Sequence, residues 1–87
     1  MNFQKERQQI DKIDNELLDL LQQRVGVVKT IGAIKKENGL PVFDPAREQA
    51  LLSILKDKAA VHNLHPSFVT DIWEVILKYS KSAQSKL

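Results

Sequence analysis

From Lys5 to Glu37 the apolar residues Ile10, Ile13, Leu17, Leu20, Leu21, Val27, Val28, Ile31 and Ile34 recur at steps of three and four, the spacing that lines one face of an α-helix. A helix of about 33 residues is ~50 Å long. A compact monomer of 87 residues has a radius of gyration near 12 Å, hence a diameter of ~30 Å. Such a helix cannot be buried by its own chain. Its stripe calls for a second copy, most simply an intertwined two-fold homodimer in which the first helices pair antiparallel.

The predicted end of this helix is Asn38-Gly39, with Pro41 just beyond, because Gly accepts the backbone conformation that closes a last turn. Gly26 and Gly32 lie inside it, each costing about 1 kcal/mol against Ala. A break near residue 25 therefore stays open beside the continuous helix. A second helix is expected to open at Asp44-Pro45, where Asp caps free amides and Pro suits the first helical position, and to fade near His62-Asn63. A third starts around Pro66-Ser67 and carries Phe68, Val69, Ile72, Trp73, Ile76, Leu77 and Ala83. The fold class that follows is all-α: three helices, long, short and medium, forming one domain over residues 1–87.

Composition narrows the chemistry. Hydrophobic residues make up 43% and charged residues 28%, which argues against a disordered tail, and three Gly with three Pro are too few turn formers for an all-β or α/β fold. Thirteen basic against eleven acidic residues leave a net charge of +2, so a general nucleic-acid binder is disfavoured. With no Cys, and only His62 and His65, neither a thiolate nucleophile nor a metal cage is expected. The amino terminus lacks an apolar core of signal-peptide length, and nowhere do about 18 apolar residues run together. A soluble, cytoplasmic protein without a membrane partner is the expectation.

Polar residues that interrupt the apolar stripes carry the functional information. Arg24 falls where the series from Leu17 to Val28 demands an apolar side chain. Either its stem snorkels along the core to water or it faces a buried anion. Lys35 follows 11 residues later, within ~20° of the same face and ~16 Å further along. Two inward cations are tolerated when something anionic sits between them, and their length suits a small dianion. Arg7, 17 residues before Arg24, is ~25 Å away and about 100° around the helix. It is either solvated or, in an antiparallel dimer, enters the neighbouring chain's pocket. Arg47 and Glu48 occupy the first turn of the second helix behind Asp44. Glu48 there either complements the helix dipole or, with the free amides, positions a hydroxyl. Ser80 and Gln84 extend the stripe of Trp73 and Ile76 at i+4 spacing, so both point inward, although Ser often bonds its own backbone and a helix-end Gln is commonly exposed.

Taken together, Arg7, Arg24, Lys35, the stretch PVFDPARE from Pro41 to Glu48, and the pair Ser80 and Gln84 resemble the active-site pattern of the all-helical AroQ-class chorismate mutases. The resemblance runs from Arg7 to Gln84, in a spacing that needs no insertion or deletion. It implies a cytoplasmic, intertwined homodimer that converts chorismate to prephenate in phenylalanine and tyrosine biosynthesis, with no cofactor and no metal. By the family's roles, Arg24 and Arg7 of the partner subunit hold the substrate's two carboxylates. Lys35 and Gln84 donate to the ether oxygen, and Glu48 with the main chain at Asp44 takes the ring hydroxyl. Arg47 and Ser80 complete the polar shell. The sequence departs from the family at Lys81, where relatives often place an apolar wall residue. Two alternatives share the fold: an isochorismate pyruvate lyase, disfavoured by Asp44, Arg47 and Glu48, and a non-catalytic sensor of chorismate or prephenate, disfavoured by Lys35 and Gln84.

Overall fold

The computed structural model describes residues 1–86 of the chain, and the described residues form three helices and no strand: α1 (Gln4–Glu37), α2 (Pro45–Val61) and α3 (Pro66–Ser85). α1 is continuous over 34 residues. Gly26 and Gly32 do not break it, since two penalties of about 1 kcal/mol are spread over a helix otherwise rich in Leu, Ile, Lys, Glu and Gln. Its C-terminus closes as a Schellman motif. Leu40 N–H donates to the Lys35 carbonyl at 2.8 Å and Gly39 N–H to the Lys36 carbonyl at 3.3 Å, while Gly39 takes φ +63°, a conformation open to glycine at little steric cost.

α2 begins as its sequence predicts. The Asp44 carboxylate accepts from Arg47 N–H at 3.1 Å, and Pro45 occupies the first helical position. It ends in the same motif as α1, with Asn63 at φ 58° replacing glycine and Leu64 N–H donating to the Ala59 carbonyl at 2.9 Å. Asn tolerates this region better than most residues. α3 opens on Pro66, capped by the His65 ring, whose Nδ1 accepts from Ser67 N–H at 3.2 Å.

α3 is the centre of the arrangement, packing on α1 along one side and on α2 along another. The buried positions are few: Val28 and Gly32 on α1, Ala59 on α2, and Val69, Ser80 and Ala83 on α3. No large side chain is fully buried among the described residues. The chain extends 58 × 26 × 15 Å with a radius of gyration of 16.2 Å, well above the ~12 Å of a compact chain this size. α1 projects beyond the other two helices, and its stripe stays uncovered: Ile10 is 54% exposed, Leu17 53% and Val27 61%. The apolar stripe read from the sequence is thus present and, apart from Val28, unburied within a single chain. No helix among the described residues is long and apolar enough to cross a membrane.

Candidate active site

α1 supplies two cations to the groove between itself, α3 and the start of α2. Arg24 is half-buried and its Nη1 donates to Ser80 Oγ at 2.7 Å. Ser80 Oγ in turn donates to the Ile76 carbonyl at 2.8 Å. The two readings of Ser80 are therefore both realised. Its hydroxyl proton is spent on its own helix, which leaves the oxygen's lone pairs to orient the guanidinium.

Lys35, also half-buried, reaches the other end of the groove. Its Nζ donates to the Val42 carbonyl at 3.1 Å and meets Gln84 Oε1 at 3.5 Å. The ammonium thereby ties the segment between α1 and α2 to the end of α3. With Oε1 turned to Lys35, the Gln84 amide NH2 remains as its donor. Val42 lies in the Pro41 to Glu48 stretch that carries the resemblance, but the sequence did not disclose its role, because it acts through a main-chain oxygen that every residue type carries.

α2 supplies Glu48 one turn beyond the Asp44 cap. Glu48 is half-buried, and Lys81 Nζ lies 3.2 Å from its Oε1 and 3.5 Å from its Oε2. The same ammonium sits 4.6 Å from the centre of the Phe43 ring, within cation–π range. Lys81, marked in the sequence only as a departure, closes its side of the pocket as half of an ion pair. Arg47 is exposed and stands at the rim.

These groups enclose a cavity of about 330 Å³, walled by Val28, Ile31, Leu51 and Leu77 and lined by Arg24, Lys35, Asp44, Arg47, Glu48, Ser80, Lys81 and Gln84. Four cations face two carboxylates, an excess of two positive charges that equals the charge of a small dicarboxylate. All the sequence-predicted site residues but one meet here. Arg7 is exposed near the other end of α1 and lines neither this cavity nor the next. A wider hollow of about 760 Å³, walled by Leu18, Leu21, Val25, Val75, Ile76 and Tyr79, adjoins the first and shares Arg24 and Ser80 with it. It is mainly apolar, and within one chain it leaves the Arg24 end of the polar cavity unroofed.

The described residues thus form an all-helical fold with a polar cavity of charge excess +2 between its three helices. The family described as chorismate mutase type II matches residues 6–85, and the chain belongs to that family. A chorismate mutase of Methanocaldococcus jannaschii is 29% identical over 80 residues, spanning 92% of this chain and 81% of that protein. A 4-amino-4-deoxychorismate mutase of Streptomyces venezuelae is 32% identical over 79 residues, spanning 86% and 73%. The T-protein of Enterobacter agglomerans is 32% identical over 79 residues, 91% of this chain. The chain spans only 21% of that T-protein's length. Among solved structures, a conserved hypothetical protein from Pyrococcus furiosus superposes with a TM-score of 0.68 at 37% identity, covering 90% of this chain and 88% of that one.

Proposed function

We propose that the chain is a chorismate mutase that rearranges chorismate to prephenate at a site completed by a second copy of itself. The observation that carries the reading is the inward pair Arg24 and Lys35, ~16 Å apart along α1 and half-buried beside a cavity whose net charge matches a dicarboxylate. The rearrangement breaks the ether carbon–oxygen bond and forms a carbon–carbon bond in one cyclic electron shift. It needs no nucleophile and no proton transfer. It needs a flexible dianion held in a chair-like, near-attack shape, with donors where negative charge grows on the ether oxygen.

The roles follow from the contacts. Arg24, braced by Ser80, holds one carboxylate bidentately. Lys35 and the Gln84 amide, already adjacent, supply the two donors to the ether oxygen. Glu48 is an acceptor that repels carboxylates, so the substrate group that faces it is a donor, the ring hydroxyl, aided by the main chain at Asp44. Arg47 closes the rim.

Arg7 completes the site across a homodimer interface. The apolar hollow beside Arg24 and the stripe of α1 are both left open within one chain, and an antiparallel pairing lays the amino-terminal half of one α1 against the carboxy-terminal half of the other. Arg7 of the partner subunit then arrives beside Arg24 and holds the second carboxylate. Residues 1–87 act as one catalytic domain in the cytoplasm. Asp44, Arg47 and Glu48 keep the start of α2 unlike that of isochorismate pyruvate lyases.

Incubation with chorismate, following loss of its ultraviolet absorbance and identifying the product, tests the reading. Prephenate is expected. Release of pyruvate, or binding without turnover, would contradict it.

A further inference from the structure

Relatives of this chain are named for two substrates that differ in one ring substituent, a hydroxyl in chorismate and an amino group in 4-amino-4-deoxychorismate. The substituent must meet an acceptor that the cavity's cations leave to it. Asp44 is exposed, and its carboxylate caps its own helix, accepting from Arg47 N–H at 3.1 Å. Glu48 is the half-buried carboxylate of the cavity. Arg24 and Lys35, at the Ser80 and Gln84 ends of the cavity, take the carboxylates and the ether oxygen.

The geometry points to Lys81 as the residue that selects the neutral hydroxyl over the ammonium at this position. The inference rests on the proposed mutase activity. Lys81 Nζ is 3.2 Å and 3.5 Å from the two Glu48 oxygens and is anchored over Phe43 at 4.6 Å. Any donor bonded to the same carboxylate, at about 2.8 Å from its oxygen, is within ~6 Å of the Lys81 ammonium. A hydroxyl bears no charge and loses nothing there, because a carboxylate keeps acceptor capacity after one ion pair. An ammonium faces a like charge, and the attraction of Glu48 for it is already offset by Lys81. Arg47 and Lys35 line the same cavity and add to the repulsion. An unpaired Glu48 would instead attract the ammonium.

The side chain of Lys81 is 40% exposed and that of Glu48 20% exposed, so water screens the repulsion. Repulsion between two unit charges ~6 Å apart, in an effective dielectric between 80 and 20, weakens binding by about threefold to a hundredfold. Lys81 touches the substrate's partner rather than the reacting atoms, and is a positioning and specificity residue. It acts on the choice of ring substituent.

The test is the ratio of kcat/KM for chorismate to that for 4-amino-4-deoxychorismate, measured on the wild type, Lys81→Met, Lys81→Gln and Lys81→Arg, with folding checked by circular dichroism. The wild type should prefer chorismate by at least about threefold. Lys81→Met should lower the ratio about threefold or more, Lys81→Gln should do the same and serves as the readout if the Met variant fails to fold, and Lys81→Arg should hold the ratio near wild type. A wild type that takes both compounds equally, or a ratio unchanged when the charge is removed, overturns the inference while leaving the mutase reading intact. A folded wild type that converts neither compound overturns both.

Discussion

Replacing Lys35 by Met separates the catalytic role of this cation from its structural one. The substitution removes hydrogen bonds to the Val42 carbonyl at 3.1 Å and to Gln84 Oε1 at 3.5 Å, each contributing about 1 kcal/mol, the longer one less. It also removes one of four cations around the cavity, which relieves like-charge repulsion in the empty protein. The two effects oppose one another and are of similar size. Thermal stability should therefore change by no more than about 1 kcal/mol, or ~4–8 °C in Tm. The transition state has no such compensation. Negative charge builds on the ether oxygen as the bond breaks, and loss of one preorganised donor should lower kcat by about 10²- to 10³-fold. KM should move much less, since the contact strengthens mainly in the transition state. Steady-state assays of chorismate loss with wild type and variant, beside a thermal melt of each, give both numbers. A variant within a few-fold of wild-type kcat would refute the assignment, as would a defect confined to KM.

Arg24→Ala should behave differently, raising KM substantially because a carboxylate anchor grips substrate and transition state alike; titration of both variants with chorismate measures the split. Leu21→Asp places a charge in the apolar hollow shared by α1 and α3 and should give an inactive monomer by sedimentation, whereas a folded, active monomer would contradict the two-chain site. Gly39→Ala forces φ +63° on a residue with a side chain, although no atom within 4 Å of the new Cβ obstructs it. About 1 kcal/mol of stability should be lost with little change in kcat, as read by denaturant melts and turnover.

The helices were readable because their start and stop signals are local. Asp44-Pro45 and Asn38-Gly39 act within a few residues of themselves, and the structure uses each as the sequence suggests. The inward cations were readable because helical periodicity turns a position into a direction, and Arg24 and Lys35 both point into the groove. What escaped is long-range or chemically anonymous. The Lys81–Glu48 pair joins residues on different helices, and its formation depends on how α2 packs on α3, which periodicity does not specify. Val42 contributes a carbonyl, and the His65 cap depends on a ring nitrogen that no helix-start rule singles out. Arg7 marks the limit from the other direction. Its distance from Arg24 is fixed by the helix, and within one chain it stays outside both cavities.

A mixture of two variants, each nearly inactive at chorismate concentrations far below its raised KM, tests the shared site most directly when assayed there. In a heterodimer of Arg7→Ala with Arg24→Ala, one site carries both defects and the other carries none, because each site takes Arg24 from one chain and Arg7 from its neighbour. Each heterodimer should recover about half the wild-type activity, and an equimolar mixture with free subunit exchange should recover about a quarter. Native mass spectrometry on the same sample counts the heterodimers. Mixed dimers that form and remain inactive would contradict a site built from two chains.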